Sequence, residues 1–232
     1  MFSAASKTDN VSSAANYIED VFSTYLYTGV SNTALQIQNG IDLSTKGGMV
    51  WIKCRSNQVN HALFDTSRGV ASSIQSNSTN AASATPQLGT FSTNGFTHSA
   101  TPTNQNLDIN ETSRTFVSWT FRKQPKFFDV VTYTGNGAST QTISHNLGAT
   151  PGCIMVKKTS GTSNWSVYHQ SLTAGSYVKL NLTDAQVADS FMNGANAPTS
   201  TTFTAQLATS DGLNANGATY VAYLFAHDAG GF

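Results

Sequence analysis

The chain has 232 residues, of which 39% are hydrophobic and only 10% charged, where about 25% charged is typical of soluble domains. Its 12 basic and 12 acidic residues leave no formal net charge, which argues against a nucleic-acid partner because phosphate binding needs a basic surface. No apolar run approaches the roughly 18 residues that span a bilayer, and no signal-peptide pattern opens the chain, so we expect a soluble protein made without export.

The two cysteines, Cys54 and Cys153, are too few for a disulfide framework in a chain of this length. We expect both thiols to be free and mostly buried. The scarcity of charge also gives little electrostatic repulsion between copies, which favours self-association or a fixed place in an assembly.

Blocks of sequence recur at an offset of about 104 residues, which predicts an internal repeat. The blocks keep one order, and small changes of offset fit loops of unequal length. The clearest matches are Lys53 with Lys157, Leu63 with Val167, and Trp119 with Tyr223, each with its neighbours. We therefore predict two copies of one domain, residues 17–125 and 126–232, preceded by an N-terminal arm of residues 1–16. The short charged link at residues 122–126 predicts limited motion between the copies.

The first 16 residues are small and polar, with Phe2 and Val11 as the only sizeable apolar side chains besides Met1. Two interpretations are open. The segment is either a frayed terminus or an extended arm that becomes ordered only against a neighbouring subunit.

The strand signals begin at residues 21–28 and at their equivalents, residues 127–134, where aromatic and β-branched residues follow each other closely. Asn136-Gly137 is typical of a type I′ hairpin turn. Residues 36–41 and 141–147 alternate polar and apolar side chains and are predicted as the paired strands.

The next strands, around Trp51 and Met155, have apolar residues on both faces. This pattern favours a central strand covered on both sides, or a sheet buried at a domain contact. Residues 62–65 and 166–168 are predicted to form hairpins with them.

The middles of the two copies differ most. Residues 71–94 are predicted as loops around a short strand, and residues 177–182 as a strand. Residues 183–191 are predicted as one short helix with Thr183 as its N-cap.

Each copy closes with a strand around Phe96 or Phe203 and a long strand near Trp119 or Tyr223, whose alternate residues are the expected core anchors. Six or seven short strands per hundred residues indicate an all-β fold. We predict two tandem jelly-roll-like antiparallel β-sandwich domains.

The residue types that carry enzyme chemistry are scattered. The histidines form no metal-ligand pair, and no nucleophile elbow or phosphate-binding glycine loop is present. The two glutamates, Glu19 and Glu111, have no acidic neighbour with which to form a glycosidase pair. The sequence therefore predicts no enzyme activity, no catalytic or cofactor-binding residue and no metal site.

Three weaker candidates have simple structural alternatives. Asp65 and Arg68 are predicted to form a salt-bridged turn rather than a ligand loop. Asp42, Asp108 and Asp211 are candidate calcium ligands at sandwich edges, but their spacing matches no calcium loop. An exposed Tyr or Trp flanked by Asn and Thr would stack on a sugar, although aromatics at strand positions are core by default.

Two sets of motifs together carry a family resemblance. The first set is DVFSTYLYTG at 20–29, NGIDL at 39–43, GGMVWIK at 47–53 and LFDT at 63–66; the second is KFFDVVTYTG at 126–135, SHNLG at 144–148, PGCIMVK at 151–157 and YVAYLFAHD at 220–228. They resemble the repeated β-sandwich domains of virion structural proteins of tailed bacteriophages from marine and freshwater bacteria, cyanophages among them. The resemblance covers nearly the whole chain after residue 17. The motifs that carry the resemblance consist of residues that pack the core, so the resemblance implies no functional residue.

The resemblance implies a non-enzymatic virion protein: a tail-fibre or tail-associated component, or a capsid decoration. Such a protein is made in the bacterial cytoplasm and resides in the virion, where its partners are other virion proteins and further copies of itself. A fibre is expected to be a trimer that continues beyond Phe232, whereas a decoration is expected to bind the capsid lattice. The alternative is a lectin-like module that binds a host-surface glycan. No nucleic acid or membrane partner is expected.

Overall fold

The computed structural model describes residues 17–84, 87–100, 109–192, 194–207 and 212–227. The predicted N-terminal arm lies outside these residues. The described parts contain fifteen strands and two short 3₁₀ helices, Ile18–Asp20 and Gly194–Asn196. Among the described helices, none has the length and apolar character needed to cross a membrane.

The strands of the first half of the chain are β1 (Phe22–Thr28), β2 (Gln36–Gln38), β3 (Gly48–Cys54), β4 (Ala62–Asp65), β5 (Leu88–Ser92), β6 (Gly95–His98) and β7 (Thr115–Arg122). Those of the second half are β8 (Phe128–Thr134), β9 (Thr140–Ser144), β10 (Pro151–Lys158), β11 (Trp165–His169), β12 (Gly175–Lys179), β13 (Val187–Phe191), β14 (Thr202–Gln206) and β15 (Thr219–Ala226).

The strands form four antiparallel sheets. The first main sheet has the order β1-β7-β3-β4, and the first small sheet has the order β2-β6-β5. The second main sheet has the order β13-β12-β11-β10-β15-β8, and the second small sheet pairs β14 with β9. This architecture confirms the predicted all-β, antiparallel class and is consistent with a β-sandwich.

Three apolar layers hold the sheets together. Side chains alternate between the two faces of a strand, so β3 contributes to two of these layers. Val50 and Ile52 lie in an outer core with Phe96 of the first small sheet. Met49, on the other face, lies in a central layer with Met155 of the second main sheet. The third layer lies between the second main sheet and the second small sheet. The prediction that both faces are covered is confirmed for the strand around Met155 and for the Met49 end of β3, where one face is buried between the two main sheets. Farther along β3, Trp51 is only half-buried.

Three sequence predictions about local structure are wrong. Residues 183–191 do not form a helix, because β13 pairs with β12 through the contact between Val187 and Tyr177. Asn136-Gly137 does not close a hairpin, because the chain there passes from a main sheet, where β8 pairs with β15, to a small sheet, where β9 pairs with β14. Residues 36–41 contain only the three-residue strand β2, and it pairs with β6 instead of β1.

Candidate interaction surface

A buried ion pair joins the two halves of the chain. Asp65 is the last residue of β4, and Arg68 follows in the turn. Arg68 Nε donates to Asp65 Oδ2 at 2.6 Å, with side-chain exposures of 7% and 0%. Tyr223 of β15 donates its hydroxyl to the same carboxylate oxygen at 2.8 Å and accepts a hydrogen bond from Arg68 Nη2 at 3.1 Å. The predicted salt-bridged turn is confirmed, and it also has a partner in the other half.

The electrostatics of this network keep its protons in place. Burial raises the pKa of Tyr223 well above its ordinary value, so the hydroxyl remains a donor. Burial acts to lower the pKa of Arg68, but the neighbouring Tyr223 and Asp65 raise it overall, so the guanidinium stays charged. The group is therefore a structural contact whose donors and acceptors already have partners.

A hairpin of the first half, residues 71–84, lies against the second main sheet; we call it the first hairpin. The Trp165 indole donates to the carbonyl of Gln75 at 2.9 Å. Lys157, whose side chain is fully buried, donates to the carbonyl of Thr79 at 3.2 Å. These bonds fix the hairpin across the second half, because a buried lysine needs partners for its ammonium group.

The face of the first main sheet that carries Met49 packs against the second main sheet, but it is less covered farther along β3. Trp51 and Trp119 are half-buried there, with ring centroids 6.0 Å apart in an edge-on arrangement. Leu26, on the edge strand β1, is 58% exposed. Lys53 Nζ lies 2.9 Å from Nε2 of His61. We call these five residues the open face.

The register of the sheet makes the open face continuous. Trp119 pairs with Trp51 across β7 and β3, and also with Thr24 of β1. In the next row, Val117 pairs with both Leu26 and Lys53. The open face thus runs across β1, β7 and β3, with apolar side chains beside the polar Lys53 and His61, a mixture that protein interfaces favour.

A cleft of about 640 Å³ lies where the two halves diverge beside Arg68. This volume falls in the usual range for ligand pockets, about 300–1,000 Å³. Most of the lining side chains carry hydroxyl groups, namely Ser67, Ser72, Thr132, Thr134, Thr159 and Thr219. Hydroxyls both donate and accept without carrying charge. Apart from Arg68, whose guanidinium is bound to Asp65 and Tyr223, the lining is neutral, so the cleft fits a hydroxyl-bearing ligand.

The histidines that the sequence singles out remain apart in the structure. His98 is fully buried, and His145 Nδ1 accepts a hydrogen bond from the Leu147 amide at 3.2 Å. His169 Nδ1 accepts from the Ser171 amide, also at 3.2 Å. Across the described residues, no group of three or more His, Cys, Asp or Glu side chains is placed to hold a metal ion.

Of the three aspartates named as candidate calcium ligands, the structure describes only Asp42. Asp42 accepts hydrogen bonds from the amide and hydroxyl of Thr45, and the hydroxyl bond is the main cause that lowers the pKa of Asp42. Asp108 and Asp211 lie outside the described residues. Asp42 is thus accounted for by its own turn.

Both cysteines are free, as predicted. Cys54 is buried, and Cys153 is half-buried. Burial raises the pKa of Cys153 to about 11, so its thiol stays protonated at neutral pH. Cys153 therefore offers no thiolate nucleophile at neutral pH.

Sequence reasoning missed the charged contacts between the halves. Lys123 Nζ lies 2.9 Å from Asp129 Oδ1, and the other oxygen of Asp129 accepts from the Asn146 amide at 2.7 Å. The signal for Lys157 was present in the sequence, since a lysine alternates there with Met155 on an apolar strand face. A charge at such a position indicates a buried partner.

A family model described as a domain of unknown function, DUF7483, matches residues 18–232. Neither a curated protein nor a solved structure matches the chain. The matched region runs through both halves, so the family model describes the two halves together and not a single repeat.

Proposed function

The chain belongs to the DUF7483 domain family, and because that description assigns no function, we propose from the sequence and the structure that it is a non-enzymatic structural protein of a tailed-bacteriophage virion. In this role it is a tail-fibre or tail-associated component, or a capsid decoration. It works through protein–protein contacts with other virion proteins and with further copies of itself.

The observation that carries this proposal is that two of the chain's few charged side chains hold its two halves together. Arg68 and Lys157 both bind groups across the contact between the halves, and they do so beside a continuous apolar layer. A displayed virion module needs such a rigid body, because local unfolding exposes a chain to proteases. The phage assignment itself is supported by the resemblance of the motifs given above.

We also propose that the two halves are copies of one jelly-roll-like sandwich. The strand order β1-β7-β3-β4 has the same form as β8-β15-β10-β11, in which the first and last long strands of a half pair with each other. The pairing of β2 with β6 has its counterpart in the pairing of β9 with β14. These parallels support a repeat of about 104 residues.

A tyrosine contact recurs at equivalent places in the two halves. Tyr27 donates its hydroxyl to the carbonyl of Ile109 at 2.7 Å. Tyr133 donates its hydroxyl to the carbonyl of Leu213 at 3.0 Å. Each bond ties the end of a first strand to the loop before the last strand, so both halves are closed in the same way.

An asparagine clamp also recurs. Asn77 Oδ1 accepts from the amide of His61 at 3.0 Å in the first hairpin. Asn181 Oδ1 accepts from the amide of Trp165 at 2.9 Å, 104 residues later for both partners. We call residues 175–188, which contain Asn181, the second hairpin. Its strands pair as those of the first hairpin do.

Two glycines give a test of this equivalence. A Cβ at Gly29 would overlap the carbonyl oxygen of Glu111, and a Cβ at Gly135 would overlap that of Ala215. We expect Gly29→Ala and Gly135→Ala each to lower the free energy of unfolding by about 1–3 kcal/mol, because backbone has to shift. Gly89→Ala is the control, since its Cβ would meet ordinary contacts of 3.5 Å or more. Urea denaturation measures all three; tolerance of one of the two substitutions would argue against equivalent packing.

The virion assignment is tested by light scattering of the purified chain, alone and mixed with capsids or with tails that lack it. Saturable binding to capsids establishes a decoration, and a stable trimer that ignores capsids establishes a fibre component. A monomer that binds neither capsids nor tails would contradict the proposal.

The hydroxyl-lined cleft favours a second candidate, a lectin-like module for a neutral host-surface glycan. A glycan array of neutral and acidic sugars tests it with the full chain. Binding of neutral glycans that is lost in Thr219→Lys, whose longer charged side chain would enter the cleft, would support this function. An array without signal would remove it.

A further inference from the structure

The strand at one edge of the first main sheet, β1, has backbone groups without a partner among the described residues. Just beyond its two ends, the Val21 carbonyl accepts from the Arg122 amide at 2.7 Å, and the Gly29 amide donates to the chain just before β7 at 2.9 Å. Backbone groups alternate in direction along an antiparallel strand, so the residues that face away from β7 are Phe22, Thr24, Leu26 and Thr28. Within the part of the chain that the structure describes, no hydrogen bond reaches their outward groups.

The corresponding edge strand of the second main sheet, β8, is covered by its own chain. Lys123 Nζ donates to the Val130 carbonyl at 3.3 Å, and the Gln141 side chain donates to the Thr134 carbonyl at 3.2 Å. An isolated backbone bridge covers Phe128 at the start of the strand. Proteins protect edge strands because an uncovered edge pairs with further strands. The chain protects β8 in this way, whereas β1 has no equivalent cover within the described residues.

The sequence of β1 also lacks the features that keep edge strands apart. Its seven residues, FSTYLYT, include no charged residue and no proline, and its register with β7 shows no bulge. Leu26 of this strand is 58% exposed. At the other edge of the same sheet, β4 is bridged to Ile74. β1 is thus the open edge of the first main sheet, and its neutral side chains can face a copy of themselves without repulsion between like charges.

We propose that β1 pairs antiparallel with β1 of a second copy, about a two-fold axis at Tyr25. This is the register that uses every outward residue of the strand: Thr24 lies opposite Leu26 of the second copy, and Phe22 lies opposite Thr28. Each such pair exchanges two backbone hydrogen bonds. The two first main sheets then form one sheet of eight strands, four from each copy, and the contact closes with two copies because a two-fold interface is isologous.

The pairing also joins the open faces of the two copies. Thr24 pairs with Trp119, and Leu26 pairs with Val117, so these side chains share one face of the sheet. In the proposed register, Leu26 of each copy lies beside Thr24 of the other, with Trp119 and Trp51 in the rows behind. The apolar surface of the two copies becomes continuous across the axis, which a partner strand without such a face does not offer.

A proline in β1 tests this pairing in the full chain. Thr24→Pro removes an amide that faces away from β7, so it leaves the hydrogen bonds within the chain intact. In sedimentation equilibrium the parent is expected to form a dimer, and Thr24→Pro is expected to weaken that dimer by roughly tenfold or more, because one hydrogen bond is lost on each side of the axis. Thr24→Val keeps the amide and is expected to dimerise as the parent does. A parent that stays monomeric, forms a trimer or grows into larger assemblies overturns the proposal, as does equal dimerisation of the two variants.

A charge on the same strand gives a second measurement that leaves the backbone unchanged. Leu26→Lys is expected to weaken the dimer by a similar factor, since an exposed lysine is a common means of protecting an edge strand. Leu182→Lys is the control, at a leucine of the second half that is 44% exposed, and it is expected to leave the dimer unchanged. If both lysine variants dimerised equally, the contact would lie away from β1.

Hydrogen exchange resolved by residue distinguishes a second copy from cover by the chain itself. The amides of Ser23 and Tyr25 face β7 and are expected to be protected at every concentration. Those of Thr24 and Leu26 are expected to be protected only where the dimer forms, and their protection in the monomer overturns the proposal. The pairing does not depend on the virion assignment: a monomer that binds capsids would overturn the pairing alone.

Discussion

Replacing Arg68 by methionine is expected to lower the free energy of unfolding by about 3–5 kcal/mol, the usual effect of removing one partner from a buried ion pair. The Asp65 carboxylate has no exposed surface, and it would lose the guanidinium that lies 2.6 Å away. Tyr223 would then be its one remaining side-chain partner among the contacts described above. Urea denaturation followed by circular dichroism measures the loss.

The double variant Asp65→Asn with Arg68→Met separates the effect of an unpaired buried charge from the effect of lost packing. Because it leaves no unpaired charge in the interior, it is expected to recover part of the stability that Arg68→Met loses. Arg55→Met removes an exposed arginine and is expected to change stability by less than about 0.5 kcal/mol. If Arg68→Met changed the free energy of unfolding as little as Arg55→Met, the ion pair would not stabilise the contact between the two halves.

Acid is expected to destabilise the protein through His98. This side chain has no exposed surface, its ring lies 5.1 Å from that of Tyr27, and neither ring nitrogen has a hydrogen-bond partner within the described residues. Burial lowers the pKa of His98 from 6.5 to about 3. Between these values the unfolded chain binds a proton that the folded chain does not, so stability falls as the pH falls, by about 1.4 kcal/mol per pH unit.

The variant His98→Phe isolates this contribution, because phenylalanine keeps the ring against Tyr27 and Phe96 but cannot be protonated. At pH 7 the two proteins are expected to have similar stability. At pH 4.5 the variant is expected to be more stable than the parent by about 3 kcal/mol. Denaturation midpoints at the two pH values measure the difference, with the exposed His169→Gln as the control. Equal acid sensitivity of parent and variant would show that His98 is hydrated or protonated in the folded state.

Much of the fold was predictable because it depends on local alternation. The apolar residues on both faces of the strand around Met155 predicted cover on both sides, and Val221 and Tyr223 are buried as the predicted core anchors. Trp119 and Phe121, predicted as anchors in the same way, are only half-buried. These predictions depend only on the two-residue period of a strand. The salt-bridged turn at Asp65 and Arg68 was predictable because it is also local: its two residues lie three positions apart in the sequence.

The errors arose where distant segments decide the outcome. The helix predicted near Val187 met the helical pattern, but β12 offered an unpaired edge, and strand pairing prevailed over local propensity. Asn136-Gly137 has good hairpin chemistry, yet its flanking strands belong to different sheets. The partnership of Arg68 with Tyr223 spans 155 residues, and no local pattern encodes such a contact.

The pairing of the first and last long strands of each half governs how the chain matures on the ribosome. The first main sheet is incomplete until β7 joins β1 and β3, so it closes only after Arg122 has emerged. The face that carries Met49 and Leu63 is covered only after β15, which ends at Ala226, has been made. That stretch of about 100 residues takes roughly 5 to 20 seconds to synthesise. During that interval the nascent chain exposes this apolar face, a state that favours aggregation. Once β8, β10 and β15 have been made, their apolar side chains pack against this face and cover it.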